Sequence, residues 1–443
     1  METSIHIGFD DIDSPRGGCT THFASFMVEE LEKLGVQWID YPNLVRLNPN
    51  VPFRTRGNGA VALRFSAEMQ VLDDIIPVIE KTVPEYIERG YPNTNPGVVV
   101  LAGEVTGPIQ NIAQLAIWRV VPIALARRTL EKGSLYHLEQ GNGRGLIGAL
   151  AAIGNELRAD HTYEFLAYRS VRDSHRERGL DKESVFEMDR RTRPATFSSV
   201  DEESGSILIE PHGPDPVIFG VRGESPEAVA SAAEQVSAGL KIERSMIVRT
   251  NQGTAEHLRH QVAVSGLRPY MAATVAGTVS SIPHMIEGGH VVFSIEDETG
   301  SVDCAAYEPT GQFREFIQKL RPGDEILAHS GVRPASRTHG LTLNIEGVEV
   351  VRAVPRTTYS NPLCPRCGHR MKSAGKEKGF KCFDCGFRDR AASKMVISSD
   401  ERPPMGVFLP PPRAQRHLTR PESRIGRANN GLPVTLMNPW HNP

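Results

Sequence analysis

The chain has 443 residues, of which 39% are hydrophobic and 23% are charged, and its formal net charge is −3. This composition is typical of a globular protein of about three domains and excludes a chain that is disordered or strongly basic throughout. The most apolar region, residues 98–126, contains Glu104 and Arg119, so it lacks the roughly 18 uncharged residues of a membrane-spanning helix. The N-terminus does not resemble a signal peptide, and we expect a cytoplasmic protein without a membrane segment.

The first predicted elements are a strand, an acidic loop and a helix. Residues 4–9 alternate as a strand, and a helix is predicted from Thr21 to Leu34. Carboxylates that lie this close together repel one another, and a magnesium ion bound with nucleotide phosphates relieves that repulsion. A solvated strand end is the simpler alternative. The candidate catalytic acids are Asp10, Asp11 and Asp13.

A glycine-containing loop leads into this helix. Gly17 and Gly18 precede Thr20 and Thr21, and the free N–H groups of a helix N-terminus hold anions, so these four residues are candidates for phosphate binding. Three roles are open to the hydroxyl of Thr20: it caps the helix, it binds a metal ion, or it accepts a phosphoryl group. Its position in the sequence alone favours the helix cap. Neither a Walker motif nor a kinase glycine-rich motif is present.

Two basic, glycine-rich loops follow, at residues 54–59 and 141–145. Guanidinium groups beside bare backbone hold phosphates, although a glycine-rich turn is often only a turn. The second loop opens an apolar helix and so places another helix N-terminus beside it. The candidate phosphate-binding residues of the two loops are Arg54, Arg56, Gly57, Asn58, Arg144 and Gly145.

Alternating helices and strands continue to about residue 249 and predict two α/β or α+β units. Short alternating strands then dominate. Five of them, with the helix Gln312–Leu320 between the third and fourth, follow the order of an OB-fold, a module that often binds single-stranded nucleic acid. Periodicity alone leaves another small barrel open. The five predicted strands cover residues 270–278, 290–295, 302–307, 325–329 and 341–351.

Four of the six cysteines form two Cys-x-x-Cys pairs separated by fourteen residues: Cys364, Cys367, Cys382 and Cys385. This spacing predicts a tetrahedral Zn²⁺ site without an open position, and hence structural zinc. Cys19 and Cys304 stand apart, which argues against a disulfide framework and for a reducing compartment.

The C-terminal quarter is basic. Residues 361–390 contain eight Lys or Arg against three acids, and residues 401–443 contain six Arg against two. Such asymmetry is typical of a polyanion-binding tail, although solvated charge explains many basic runs and zinc ribbons also bind proteins. Proline-rich stretches predict that the tail is at least partly extended. The candidate RNA-binding residues are Arg366, Lys372, Lys381, Arg416 and His417.

Several motifs together resemble one family, the archaeal synthetases that make 2-agmatinylcytidine in isoleucine tRNA (TiaS). They occur in one order over nearly the whole chain: Gly8-Phe9-Asp10-Asp11-Ile12-Asp13-Ser14, Gly18-Cys19-Thr20-Thr21, Arg46-Leu47-Asn48-Pro49, Thr55-Arg56-Gly57-Asn58-Gly59, Gly143-Arg144-Gly145-Leu146-Ile147-Gly148-Ala149, Gly220-Val221-Arg222-Gly223-Glu224, Glu287-Gly288-Gly289-His290, the cysteine pairs and Arg416-His417-Leu418.

The resemblance implies a multidomain α+β protein. Its parts would be a kinase-like ATP-binding domain (1–132), a ferredoxin-like domain (133–265), an OB-fold (266–355), a zinc ribbon (356–395) and a basic tail (396–443). It also implies that Thr20 becomes autophosphorylated and that the three aspartates handle metal and phosphate. The resemblance has one departure: Ile12 stands where the family more commonly has a threonine, so this chain has no hydroxyl at that position.

The implied activity joins agmatine to the wobble cytidine of the CAU-anticodon isoleucine tRNA, so that this tRNA decodes AUA. ATP is cleaved to AMP and pyrophosphate, the cytosine 2-carbonyl oxygen is phosphorylated, and the amine of agmatine displaces it. Magnesium-bound ATP and structural zinc are the implied cofactors, and no obligate protein partner is implied. Two other hypotheses are a pure RNA-binding protein, which leaves the first 260 residues unexplained, and a small-molecule kinase or ligase.

Overall fold

The computed structural model describes residues 2–14, 16–54, 57–88, 91, 93–173, 175–355, 358–398, 403–433 and 435–442. They form one large sheet with its helices, a β-barrel, a small cysteine-bearing unit and a C-terminal segment that runs back over the others. No helix within these ranges is both long and apolar enough to cross a membrane.

The first 154 residues build one half of the large sheet. Ile5, Ile7 and Phe9 alternate along the first strand and are buried, and Phe23 and Met27 of the first helix pack into the same core. The predicted first strand and helix are confirmed to within a few residues. The elements are β1 (Glu2–Asp10), α1 (Thr20–Lys33), β2 (Gln37–Trp38), β3 (Asn43–Arg46), β4 (Gly59–Glu68), α2 (Val71–Tyr86), β5 (Gly97–Ala102), α3 (Gly107–Trp118), α4 (Ile123–Gly133), β6 (Tyr136–Glu139) and α5 (Gly145–Gly154).

The next hundred residues build the other half: β7 (Thr162–Tyr168), α6 (Lys182–Thr192), β8 (Thr196–Phe197), β9 (Val200–Asp201), β10 (Ser206–Ile207), β11 (Val217–Gly223), α7 (Pro226–Ala233) and β12 (Arg244–Thr250). β12 lies parallel to β3, with Arg249 opposite Asn43 and Thr250 opposite Leu44. The sheet is therefore continuous, in the order β6-β5-β1-β4-β3-β12-β7-β11-β8.

Helix α5 lies beyond the predicted domain limit at residue 132 but packs on β1, β4 and β5. Glycines allow its close approach, because a Cβ at Gly8 would collide with the backbone of Ala149 and one at Gly97 with the backbone of Leu146. The two N-terminal units thus share both a sheet and a helix. The limits 1–132 and 133–265 stay a prediction.

The OB-fold prediction is confirmed by a closed five-stranded barrel. Its order is β13-β17-β18-β16-β15, and β15 pairs with β13 to close it. The helix between the third and fourth barrel strands ends at Ile317 rather than Leu320, shortly before Pro322, which cannot continue it. The elements are β13 (Ala272–Val279), β14 (His284–Met285), β15 (Val291–Asp297), β16 (Gly300–Ala306), α8 (Gln312–Ile317), β17 (Glu325–Arg333) and β18 (Thr342–Arg352).

The cysteine-bearing unit contains two small sheets. Met371 and Phe380 are buried with Cys364 and Cys382 in its minimal core, so a bound metal has to supply much of its stability. One sheet pairs β19 (Thr358–Ser360) with β23 (Met395–Ser398). The other consists of β20 (Lys372–Ser373), β21 (Phe380–Lys381) and β22 (Arg388–Asp389).

The segment that follows, residues 403–433 and 435–442, is called the C-terminal strap. The tail was predicted to be partly extended, and the structure shows that it is bound along much of its length. Its strand β24 (Gly406–Phe408) pairs with β18 of the barrel, and β25 (His441–Asn442) pairs with β12 of the large sheet. Trp440 is buried against Trp38 and Tyr41, with ring centres 5.7 and 6.0 Å away.

Candidate functional site

The acidic loop, residues 10–13, is held in place by protein contacts. Asp11 is buried and adopts a left-handed backbone conformation with φ of 58°. Its Oδ2 accepts hydrogen bonds from the backbone N–H of Asn95, at 3.0 Å, and from Nε of Arg144, at 3.1 Å. The hydroxyl of Thr94 donates to the backbone carbonyl of Asp13 at 2.8 Å. These bonds anchor both ends of the acidic loop.

The carboxylate of Asp10 packs against α5 at Gly148, where a Cβ would collide with it. Burial, together with the neighbouring carboxylates of Asp11 and Asp13, raises the pKa of Asp10 to about 8. Burial also raises the pKa of Asp11, although the guanidinium of Arg144 opposes that shift. The acidic loop is therefore short of positive charge, and a divalent cation is the kind of ligand that would supply it.

Helix α1 begins beside the acidic loop. Its N-cap residue is Cys19, whose side chain makes no capping hydrogen bond, and Thr20 is the first helical residue. The simple expectation that Thr20 caps the helix is therefore wrong. Thr20 and Thr21 are buried and line the same cavity as the acids. A phosphate is a suitable acceptor for the free N–H groups of this first turn.

Asn95 connects the acidic loop to the loop before α5. Besides binding Asp11, it accepts a hydrogen bond from the backbone N–H of Asn142 on its side-chain Oδ1, at 2.9 Å. Its backbone carbonyl accepts another from the N–H of Gly145, at 3.1 Å. Gly145 permits close packing, because a Cβ there would collide with the backbone of Gly97. Of the second loop's two candidates, Arg144 lines the cavity.

The glycines before α1 form a tight turn. The backbones of Ser14 and Gly17 exchange two hydrogen bonds, at 2.9 and 3.3 Å, so the N–H of Gly17 is engaged within the loop. Gly18 has a φ of 72°, which favours glycine. The structure places both glycines in this turn rather than among the residues that line the cavity.

A cluster of basic side chains lines the same cavity; Arg54 comes from the first glycine-rich loop, and Arg416 and His417 come from the strap. We call Arg46, Arg54, Arg222, Arg416 and His417 the basic cluster. Burial lowers the pKa of Arg46, and the charges of Glu164 and Asp13 oppose that shift. The basic cluster and the acidic loop are therefore within electrostatic range of each other.

The cavity that holds these groups has a volume of about 1010 Å³, enough for a nucleotide and part of a second substrate. It brings together sequence candidates that lie more than four hundred residues apart, such as Asp10 and His417. Arg56 lies outside the described residues. The site residues predicted from sequence that line the cavity are Asp10, Asp11, Asp13, Thr20, Thr21, Arg54, Gly57, Asn58, Arg144, Arg416 and His417.

Sequence reasoning did not identify Arg46, Glu164, Asn95 and Arg222 as candidate site residues. Glu164 is buried on β7 and accepts from Nε of Arg222 at 3.1 Å and from Gln252 at 2.6 Å. Arg46 and Arg222 do lie within motifs that carried the family resemblance, and that was the available signal. Asn95 lies in none of the quoted motifs, and its role depends on contacts with distant loops.

The four predicted zinc ligands lie together. Their sulfur atoms are all within 4.8 Å of one another, with Cys364 and Cys385 3.4 Å apart and Cys367 and Cys382 3.5 Å apart. Such separations suit one tetrahedral Zn²⁺ with bonds of about 2.3 Å. Gly368 and Gly386 both have a φ of 76°, which closes each knuckle turn.

The five predicted RNA-binding residues lie in two places. Arg366, Lys372 and Lys381 belong to the cysteine-bearing unit. There the ammonium groups of Lys372 and Lys381 lie 5.3 and 5.2 Å from the ring centre of the exposed Phe383. An aromatic ring flanked by cations suits a base and its phosphates. Arg416 and His417 line the cavity instead.

Comparison with known proteins finds four matching segments in chain order. Family models match the TiaS TCKD domain at residues 6–72, the TiaS FLD domain at 143–257, an OB-fold nucleic acid binding domain at 273–351 and the TiaS C-terminal zinc ribbon domain at 361–402.

Full-length relatives match as well. The isoleucine-tRNA 2-agmatinylcytidine synthetase TiaS of Staphylothermus marinus is 42% identical over 98% of this chain and 96% of that protein. The crystal structure of TiaS in complex with its isoleucine tRNA and ATP matches with a TM-score of 0.83 at 36% identity, over 98% of this chain and 99% of that one. The complex with the same tRNA, AMPCPP and agmatine matches with a TM-score of 0.81 at 34% identity, over the same shares.

Proposed function

The chain belongs to the TiaS family of isoleucine-tRNA 2-agmatinylcytidine synthetases, and we propose that the acidic loop, Thr20 and the basic cluster form its catalytic site. It is an ATP-dependent ligase that joins agmatine to the wobble cytidine of an isoleucine tRNA. The observation that carries the site assignment is the single cavity in which buried carboxylates, a helix N-terminus and several guanidinium groups meet.

The reaction has to make a ring oxygen into a leaving group. We propose that a phosphoryl group is transferred from ATP to the cytosine O2. The amine of agmatine then attacks C2 and loses a proton, forming a C–N bond as the C–O bond breaks and phosphate departs. Phosphoryl transfer depends on positioning and on stabilisation of charge more than on covalent chemistry by the protein. Carboxylates, guanidinium groups and helix N–H donors are the groups that this task requires.

Asp10, Asp11 and Asp13 are the residues that would hold magnesium together with ATP. Burial is the main cause of the raised pKa values of Asp10 and Asp11. A bound cation would favour their ionised forms, and carboxylate oxygens are preferred ligands of Mg²⁺. When bound, the ion would neutralise charge on the phosphates. Arg144 keeps Asp11 oriented toward the cavity through its bond to Oδ2.

Thr20 is our candidate for the autophosphorylated residue. Its hydroxyl belongs to the first residue of α1, next to the acidic loop, and it lines the cavity. A phosphoryl group on this side chain would lie at a helix N-terminus, where the helix dipole and free N–H groups stabilise negative charge.

The zinc ribbon holds the tRNA in this proposal. The wobble base has to leave the stack to enter the cavity, which an anticodon loop permits. The exposed Phe383 ring and its flanking lysines offer a surface for RNA outside the cavity, while zinc stabilises the fold that presents them. The cytoplasmic location and the lack of an obligate protein partner remain predictions.

The direct test is to incubate the protein with ATP, agmatine and the CAU-anticodon tRNA and to measure the mass of the wobble nucleoside. We expect a mass gain equal to agmatine minus water, and none when either small substrate is omitted. An unchanged cytidine in the complete mixture, with tRNA and ATP both bound, would contradict the proposed function.

A further inference from the structure

The strap places His417 in the cavity through backbone bonds to the segment that follows β12. The carbonyl of His417 accepts from the N–H of Gly253 at 2.9 Å, and the carbonyl of Leu418 accepts from the N–H of Ala255 at 2.7 Å. The neighbouring Leu418 is buried. The imidazole of His417 therefore has a defined position among the arginines of the basic cluster.

The contacts of the His417 ring define its protonation state. Nη2 of Arg222 lies 3.0 Å from Nδ1 of His417. A guanidinium only donates, so Nδ1 has to accept and cannot carry a proton. The pKa of His417 lies well below its ordinary value because of the charge of Arg46, burial, and the charges of Arg222, Arg416 and Arg54. The ring is therefore neutral, with its remaining proton on Nε2.

The Nε2 edge of this ring lies beside Gly57, where a Cβ would come within 2.9 Å of that atom. The same hypothetical Cβ would lie 2.7 Å from Nη1 of Arg46. The absence of a side chain at Gly57 therefore allows the imidazole of His417 and the guanidinium of Arg46 to pack closely against this glycine. Both donors line the cavity.

Carboxylates lie beside some of the arginines of the basic cluster. Glu164 pairs with Arg222 at 3.1 Å, and Glu346 lies 3.8 Å from Arg416. Arg46 has no carboxylate partner within 4 Å among the described residues, and its Nε donates to the amide oxygen of Gln252, at 3.3 Å. Arg46, without such a partner, and the neutral donor His417 thus lie side by side in the lining of the cavity.

We propose that the basic cluster is a phosphate subsite and that His417, through Nε2–H, donates a hydrogen bond to the bound phosphate. This inference rests on the proposed function, since that function supplies two sources of phosphate. One is the triphosphate of ATP, and the other is a backbone phosphate of the tRNA next to the wobble nucleotide. The guanidinium groups attract the phosphate by charge, and a hydrogen bond from a neutral donor also fixes the orientation of the phosphate oxygen that accepts it.

Arg424 is the positioning residue for His417. It is fully buried; its Nη1 donates to the carbonyl of Gly253 at 2.7 Å, and its other nitrogens bind the carboxylates of Asp160 and Glu224. Gly253 in turn holds His417 through its N–H. One residue thus links the buried ion pairs of the strap to the imidazole in the cavity.

The test measures binding directly, ATP without tRNA and tRNA without ATP, in the full-length protein. We expect His417→Ala to weaken one of the two by about tenfold, the size of one hydrogen bond to a charged group. His417→Gln keeps a donor near the Nε2 position and should recover most of that loss. His441→Ala is the matched control, because this strap histidine pairs with Glu32 outside the cavity.

The ligand that weakens identifies the source of the phosphate. If His417→Ala binds both ATP and tRNA as tightly as the wild type does, the proposed phosphate subsite is wrong. A wild-type protein that binds both ligands but makes no 2-agmatinylcytidine would instead contradict the proposed function, so the two failures differ.

A double-mutant comparison tests whether Arg424 acts through His417. Arg424→Lys should weaken the same ligand as His417→Ala, and it should have little further effect when His417 is already alanine. Equal losses in both backgrounds would overturn the positioning role. Asp160→Asn, which perturbs the same ion pairs by a smaller change, provides a second variant if Arg424→Lys lowers the melting temperature strongly.

Discussion

Gly148 of α5 is in contact with the carboxylate of Asp10, and the missing Cβ provides the space that this carboxylate occupies. We expect Gly148→Ala to displace Asp10 and to reduce formation of 2-agmatinylcytidine by at least tenfold. In a helix, alanine is more favourable than glycine by about 1 kcal/mol. This gain should offset part of the strain, so the free energy of unfolding should change little. Initial rates and a melting curve measure the two effects.

The matched control is Gly107→Ala, at the start of α3, where a Cβ meets nothing within 4 Å. This variant should keep full activity. Full activity in Gly148→Ala as well would mean that the position of Asp10 is unimportant for the reaction.

Asp10 should make the free protein less stable as the pH rises. Its pKa is about 8 in the folded protein and near 3.8 when unfolded. Between these values the folded state binds more protons than the unfolded state, so stability falls as pH increases. Asp10→Asn removes this effect, and we expect its melting temperature to exceed that of the wild type by a few degrees at pH 8 and by much less at pH 5.

These measurements are made without nucleotide or divalent ions. If the difference in melting temperature between wild type and Asp10→Asn is the same from pH 5 to pH 8, Asp10 has an ordinary pKa. Magnesium with ATP should reduce the difference at pH 8, because a cation stabilises the ionised carboxylate.

Thr20→Ala should abolish product formation while tRNA binding stays within about twofold of wild type, because the phosphoryl acceptor is lost and the RNA surface is not. Thr20→Ser keeps the hydroxyl and is the matched control, with substantial activity expected. Quantitative mass spectrometry of the wobble nucleoside gives the yield. Product from Thr20→Ala at the wild-type rate would remove this residue from the mechanism.

Cys382→Ser should lose bound zinc and weaken tRNA binding by at least tenfold, since the small core of this unit depends on the metal. ATP binding should remain, because the cavity is built by other parts of the chain. Atomic absorption and filter binding provide the readouts. Cys304→Ala, a buried cysteine of the OB-fold outside the zinc site, should keep its zinc. Tight tRNA binding by zinc-free Cys382→Ser would separate the ribbon from RNA recognition.

Local patterns were the most predictable part of this protein. The strand before the acidic loop, the helix at Thr20, the barrel and the cysteine pairs each depend on neighbours in sequence. The family resemblance then gave the activity, which spacing alone left open between an enzyme, an RNA-binding protein and a small-molecule kinase. Because the chain belongs to the TiaS family, neither an RNA-binding protein nor a small-molecule kinase is a complete description of it.

Long-range pairing was not predictable. The contact of Arg222 with His417 joins residues 195 positions apart, and that of Arg144 with Asp11 joins residues 133 apart. No periodicity or spacing indicates such pairs. The same holds for the parallel pairing of β3 with β12, which merges two expected units into one sheet.

The burial of Trp440 against Trp38 and Tyr41 has a consequence for synthesis. A ribosome makes the N-terminal half of the large sheet before the strap, and that part emerges with its aromatic surface uncovered until Trp440 follows. The strap also delivers His417 only after the barrel and zinc ribbon have been made. A nascent chain that has not yet released the strap therefore lacks both the aromatic cover of its first core and a complete catalytic cavity, so it should not modify tRNA.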